Sequence, residues 1–175
     1  MDYKIRWATC GDSKELGYVH ANSWKVAYKD IISDKVLDEI TLEKRKKRFE
    51  KAIKNREKEN AVLIVDKEIV GFIALGECRD EDLDNYIGEI YAIYLLPSYW
   101  RKGLGSSLLE WGIKELENRG YEEITLWVLE DNEESKNFYE SKGFKEEGKR
   151  EKIKIGDKYL EKVRYKKILD KHLKI

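Results

Sequence analysis

The residues best suited to chemistry lie in one stretch, Leu95-Leu96-Pro97-Ser98-Tyr99-Trp100-Arg101-Lys102-Gly103-Leu104-Gly105-Ser106-Ser107-Leu108-Leu109. An apolar run enters it and an amphipathic pattern leaves it. A strand, a glycine turn and a helix N-terminus together make a site for an anion. The first-turn N–H groups have no helical partner, and the helix dipole adds partial positive charge there. Gly103 and Gly105 carry no Cβ, so a phosphate could approach the backbone, and Arg101 and Lys102 supply full charges. The plain alternative is a turn that needs glycine for its geometry alone. Nucleotide motifs do not fit. The string G-x-x-x-x-G-K-[ST] is absent, and a G-x-G-x-x-G fingerprint starting at Gly103 would need its third glycine where Leu108 stands.

Other groups could join such a site. Glu89 is the one formal charge in the apolar run Ile87 to Leu96. Trp24 and Tyr28 are four apart on a helical pattern and share a face, so they either line a substrate cleft or pack in the core. His20 in the same pattern reads as a packing residue. Glu77, Asp80, Glu81, Asp82 and Asp84 form an acidic loop ahead of the Glu89 run, which would attract a cationic acceptor unless it is simply solvated, with Arg79 partly balancing it.

These groups need a scaffold, and 175 residues suit one domain with a real core. A net charge of zero argues against a general nucleic-acid or anionic-membrane binder. Cys10 and Cys78 make no disulfide framework, and with His20 and His172 they form no close cluster for zinc, so no metal is expected. The opening residues, Met1 to Arg6, lack the apolar segment of a signal peptide, and no run approaches membrane-spanning length. A cytoplasmic protein is the expectation, as a monomer or a homodimer.

Tyr3 to Ala8 alternates as a strand, and Ser13 begins a helix. Ile31 to Ile40 reads as a short helix, and Thr41 opens another to about Arg56. The basic run Lys44-Arg45-Lys46-Lys47-Arg48 in it, diluted by Glu43, Glu50, Glu57 and Glu59, reads as a solvated face. Ala61 to Val65 and Ile69 to Gly76 form a hairpin about Asp66-Lys67-Glu68, and Ile87 to Leu96 suits a central strand covered on both faces. After the glycine turn, Leu104, Leu108, Leu109, Ile113 and Leu116 form an apolar helical stripe that Gly120 ends. Tyr121 to Val128 is a strand. Asn132 caps a short helix that Gly143 ends, and Gly156-Asp157 joins two final strands, Lys145 to Ile155 and Lys158 to Ile168.

This order is α+β, a mixed central sheet flanked by helices, and it resembles the GNAT-type acyl-CoA N-acyltransferase fold. Two segments carry the resemblance. Arg101-Lys102-Gly103-Leu104-Gly105-Ser106, after the strand end Ile93-Tyr94-Leu95-Leu96-Pro97, is similar to the superfamily's acetyl-CoA motif [QR]-x-x-G-x-[GA]. Asn132 to Phe144 is similar to its N-x-x-[AS]-x-x-F-Y-x-x-x-G-F segment. The leading Gln or Arg of the first motif falls on Trp100, a departure that leaves the backbone grip intact. The resemblance covers roughly Glu89 to Phe144.

The resemblance implies an acetyl-CoA-dependent N-acetyltransferase. The N–H groups of residues 101–106 would cradle the coenzyme A pyrophosphate, Ile93, Tyr94 and Leu95 would pair with the pantetheine arm like an added strand, and Asn132 would help hold the co-substrate. Tyr139 would stand near the sulfur as general acid, or else be a buried aromatic. A neutral amine would attack the thioester directly in a ternary complex, with a backbone N–H near Leu95 stabilising the oxyanion. A lysine-like amine has a pKa of about 10.4 and must first lose a proton. Glu89 is the candidate base, through water, or else a strand-edge carboxylate paired with a cation; the glutamate that some N-terminal protein acetyltransferases use is absent, Trp127 standing at that position. The acceptor is a small-molecule or peptide amine, with a polyamine or other cationic amine expected from the acidic loop. The alternatives are a catalytically silent acyl-CoA-binding regulatory module and a protein N-terminal or lysine acetyltransferase.

Overall fold

The computed structural model describes residues 2–56 and 58–169. Glu57 and His172, which entered the charge and histidine readings above, lie outside them. Seven strands, β1 (Tyr3–Trp7), β2 (Glu59–Val65), β3 (Glu68–Glu77), β4 (Ile87–Leu95), β5 (Glu123–Leu129), β6 (Lys145–Ile155) and β7 (Lys158–Ile168), form one mixed sheet in the order β1-β2-β3-β4-β5-β7-β6. The helices are α1 (Ser13–Ala27), α2 (Asp34–Asp38), α3 (Leu42–Lys54), α4 (Leu104–Asn118) and α5 (Glu133–Ser141). The α+β architecture with a mixed sheet and flanking helices is as the sequence implies, and β4 takes the middle of the sheet. The helix expected over Ile31 to Ile40 is shorter. Ser33 is extended, with φ −60° and ψ 143°, so α2 starts only at Asp34. No helix of the described residues is long and apolar enough to cross a membrane.

The chain falls into two compact units, Met1–Ala74 with Ala92–Trp111, and Leu75–Tyr91 with Gly112–Ile175. In the first, β1 pairs antiparallel with β2 from Tyr3↔Val65 to Trp7↔Ala61. Asp66 and Lys67 both have positive φ, the conformation of a two-residue hairpin turn that matches strand twist. Arg6 fixes the entry to α1 through a two-pronged pair with Asp12, at 2.8 and 2.9 Å. Leu16 and Val19 of α1, Phe49 of α3, Val62 and Phe72 form a buried core cluster. Gly17 sets the spacing of the two helices. A Cβ there would meet the backbone N of Lys46 at 2.7 Å, so α3 packs on α1 at backbone distance.

In the second unit, β4 pairs parallel with β5 over Ile87↔Glu123, Gly88↔Ile124 and Glu89↔Thr125. β7 pairs antiparallel with β5 on one side and with β6 on the other. A register shift between Glu146 and Arg150 contains Gly148, whose φ of +89° is the bulge geometry that glycine permits. In the α4 stripe, Leu104, Leu108, Leu109 and Leu116 are buried and Ile113 half-buried.

Candidate active site

The turn after β4 begins with a 3₁₀ segment, Pro97–Tyr99, in which the Trp100 N–H donates to the Pro97 carbonyl at 3.1 Å. Arg101 and Gly103 then take left-handed conformations, with φ of +58° and +79°. The Gly103 carbonyl accepts from the Ser107 N–H at 3.0 Å, which makes Gly103 the cap of α4. The N–H groups of Leu104, Gly105 and Ser106 therefore occupy the helix positions that have no intrahelical acceptor. A Cβ on Gly103 would meet nothing within 4 Å. Gly103 is thus required for backbone conformation, and the space beside it is open. Arg101 and Lys102 are exposed, and Lys102 Nζ lies 5.3 Å from the Tyr99 ring centroid. Orphan donors, a positive helix end, open space and two cations suit the phosphates of a coenzyme A.

The end of β4 is tied to this turn. The Trp100 indole N–H donates to the Leu95 carbonyl at 2.6 Å, and the Ser23 hydroxyl reaches the same oxygen at 2.9 Å. That hydroxyl has one proton and also lies 2.6 Å from the Val19 carbonyl, so the indole is the dedicated donor. The Leu95 oxygen therefore has one lone pair held by the indole and shares the Ser23 proton with Val19. The Leu96 N–H donates to Val70 of β3 at 2.8 Å. Consecutive residues of a strand turn their polar groups to opposite edges, so the Leu95 N–H points away from β3. Gly71 is bare beneath this strand end; a Cβ there would meet Leu95 Cδ1 at 2.5 Å.

Trp24 and Tyr28 come together as their spacing predicts, with ring centroids 4.7 Å apart. The Trp24 indole N–H donates to the Tyr94 hydroxyl at 2.8 Å, which joins α1 to the end of β4. His20 stacks on Trp24 at 5.4 Å and lies 5.0 Å from Tyr94. Burial, helped by the charges of Arg45 and Arg48, lowers the His20 pKa to about 3. A neutral imidazole packed among aromatics agrees with its reading as a packing residue. Arg45, expected on a solvated face, is half-buried with its guanidinium 5.6 Å from the Trp24 ring centroid.

In the second unit Glu89 is almost fully buried, and three Arg79 donors hold its carboxylate. Oε2 accepts from the backbone N–H at 3.0 Å and from Nε at 3.1 Å, and Oε1 accepts from Nη2 at 2.6 Å. One acceptor position remains on Oε1. Arg79 also covers the Tyr91 ring at 4.1 Å. Asn132 is the α5 cap, its side-chain oxygen accepting from the Ser135 N–H at 3.1 Å. Tyr139 is buried, with its ring 5.3 Å from Phe138 and 5.9 Å from Phe144.

Two acids of the loop, Asp80 and Asp82, have partners within the fold. Asp80 Oδ2 accepts from the Trp127 indole at 2.9 Å and from Arg164 Nη1 at 3.0 Å. Asp82 accepts from both Arg164 terminal nitrogens at 2.9 Å, and Glu147 pairs with Arg164 Nε. Arg164 is buried, so these carboxylates are its counter-ions and hydrogen-bond acceptors. Asp80 and Asp82 are therefore not free to pair with an acceptor. A cation partner for Glu89 is an open alternative in the sequence, but neither Arg79 as that partner nor Arg164 as the loop's partner can be picked out. Arg79 lies ten residues from Glu89, with no periodic pattern linking them, and Arg164 lies 84 from Asp80.

The sheet, the glycine turn and the capped helix define the fold class of an N-acyltransferase. Residues 24–144 match the acetyltransferase (GNAT) family, and the chain belongs to that family. It is 34% identical over 130 residues to the uncharacterized N-acetyltransferase YuaI of Bacillus subtilis (strain 168), covering 73% of this chain and 72% of that one. It is 27% identical over 152 residues to a spermidine N(1)-acetyltransferase of Thermoplasma acidophilum, covering 84% and 91%. Its fold is similar to the crystal structure of the PaiA N-acetyltransferase of Thermoplasma acidophilum in complex with coenzyme A. That likeness has a TM-score of 0.78 at 25% identity and covers 97% of this chain and 100% of that one.

Proposed function

We propose that the chain works as a single N-acetyltransferase domain that moves an acetyl group from acetyl-CoA to a primary amine by direct attack in a ternary complex. The observation that carries this reading is the turn at Arg101 to Ser106, capped by a left-handed Gly103 beside open space, in a chain of the GNAT family. Acetyl-CoA brings the activated thioester. The N–H groups of residues 101–106 hold its pyrophosphate, and Arg101 and Lys102 add charge. The pantetheine arm runs along Ile93, Tyr94 and Leu95, with the Leu95 carbonyl engaged by the Trp100 indole. Asn132 contributes through the amide group left over from capping.

The amine nitrogen forms its bond to the carbonyl carbon, and the carbon–sulfur bond breaks. The Leu95 N–H donates to the oxygen as charge builds on it. Tyr139 gives its hydroxyl proton to the departing sulfur. The amine loses its proton to water bound at the remaining acceptor position of Glu89, the other positions being held by Arg79. Cys10 and Cys78 are free thiols, which suits a cytoplasmic location.

A polyamine acceptor is a second reading, favoured by the likeness to a spermidine N(1)-acetyltransferase. The test of the function is thiol release from acetyl-CoA across a panel of primary amines. Amine-dependent release is expected. Saturable acetyl-CoA binding with no release from any amine would instead identify a silent acyl-CoA-binding module.

A further inference from the structure

Two arginines on α3 of the first unit, Arg45 and Arg48, have no counter-ion among the described residues. On α3 the neighbouring acids serve lysines: Glu43 pairs with Lys47 at 3.6 Å and Glu50 with Lys46 at 3.7 Å. Among the described residues no carboxylate pairs with Arg45 or Arg48. Arg45 is half-buried beside Trp24. Burial and the like charge of Arg48 lower its pKa, and the Tyr94 hydroxyl acts against them. A half-buried guanidinium beside a second, exposed one is unfavourably placed without an anion.

The surroundings have the form of a binding site. Trp24, Tyr28 and Tyr94 make an aromatic wall joined by the Trp24–Tyr94 hydrogen bond. His20 Nδ1, in the same cluster, is shut off from solvent and has no hydrogen-bond partner among the described residues. Gly17 brings the α3 backbone onto α1, which is why Arg45 reaches Trp24 at all. Tyr94 adjoins Leu95, whose N–H is the proposed oxyanion donor. A ligand held by this cluster is therefore next to the reacting end of β4.

We propose that Arg45 and Arg48 receive an oxyanion on the acceptor, so that the preferred substrate is an amine bearing a carboxylate or a phosphate at its other end. This rests on the acetyltransferase reading above and names the substrate class of that site. Guanidinium groups pair with planar or tetrahedral oxyanions through two parallel hydrogen bonds, and the aromatic wall covers the connecting chain. A polycation would meet two like charges there.

The test compares, at saturating acetyl-CoA, a series of ω-amino carboxylates, their amides, ω-aminoalkyl phosphates and spermidine. Each is assayed with wild type, Arg45→Gln, Arg48→Gln and the exposed control Lys47→Gln. In wild type, kcat/KM for an anionic member should exceed that of its amide by roughly tenfold to a hundredfold, as a charge-assisted hydrogen bond implies. Either arginine variant should remove most of that preference through KM, and Lys47→Gln should keep it. The carboxylate and phosphate arms decide which oxyanion is read. A preference for the amide or for spermidine, or an anion preference unchanged in both arginine variants, overturns the proposal while leaving the acetyltransferase reading intact. If no amine supports thiol release, calorimetric titration of the coenzyme A-saturated protein with an ω-aminoalkyl phosphate gives the answer separately. Binding that is weakened in the arginine variants upholds the site, and binding that is absent or unchanged overturns it.

Discussion

The indole N–H of Trp100 donates to the carbonyl of Leu95 at 2.6 Å. This bond ties the turn after β4 to the strand end, and its donor stands at the position where the motif of the superfamily has Gln or Arg.

Trp100→Phe keeps the ring and removes the donor. The Leu95 carbonyl would then depend on the shared proton of Ser23. Loss of one hydrogen bond of about 1 kcal/mol should raise the KM for acetyl-CoA roughly fivefold, with kcat changed less. A KM equal to that of wild type would show that the strand end needs no donor from residue 100.

Tyr139 and Glu89 should separate cleanly in kinetics. Tyr139→Phe should lower kcat about 100- to 10,000-fold, the range for loss of a general acid, with acetyl-CoA affinity nearly unchanged. Glu89→Gln should have the smaller effect and should alter mainly the acidic limb of the pH–rate profile, because Arg79 already holds most of the carboxylate. The Arg79→Gln, Glu89→Gln double variant controls for the unpaired guanidinium. A Tyr139→Phe enzyme with wild-type turnover would remove the acid role from this residue.

His20 makes folding stability depend on pH. Its folded pKa, about 3, lies below the ordinary value near 6.5 because the ring is buried and faces Arg45 and Arg48. The unfolded chain therefore binds a proton that the folded chain refuses. The stabilising contribution is fully present above pH 6.5 and is lost as pH falls from there toward 3, by about 1.4 kcal/mol per pH unit within that window. Chemical denaturation at pH 7.5, 6 and 5 should show this slope flattened in His20→Phe. Identical slopes for the two proteins would mean that the imidazole is solvated.

Much of the candidate site's local geometry was legible because it is contiguous in the chain. A strand, two glycines and an apolar helical stripe follow one another in the chain, and backbone sterics dictate what Gly103, Gly120 and Gly143 do; all three have positive φ. Trp24 and Tyr28 were legible from helical spacing. Pairings across long sequence separations were not. The insertion of β7 between β5 and β6 depends on edges that no periodicity encodes. The acidic loop looked free because Arg164, its counter-ion, stands in a strand some 80 residues on. Arg45 was hidden inside a basic run. Its burial follows from Gly17, which admits α3 to backbone contact, and a single glycine in a helix does not announce its partner.

The central claim is that the turn at Arg101 to Ser106 holds the phosphates of acetyl-CoA, and calorimetric titration of acetyl-CoA into wild type, Gly103→Ala and Gly103→Glu tests it most directly. A Cβ at Gly103 meets nothing within 4 Å, so alanine costs only the left-handed strain, about 1–2 kcal/mol, and leaves the space open. Glutamate adds bulk and a negative charge at the helix N-terminus. Saturable binding is expected in wild type, binding kept within a few-fold in the alanine variant, and binding abolished in the glutamate variant while its fold persists by circular dichroism. Equal affinity in the glutamate variant and in wild type would contradict it.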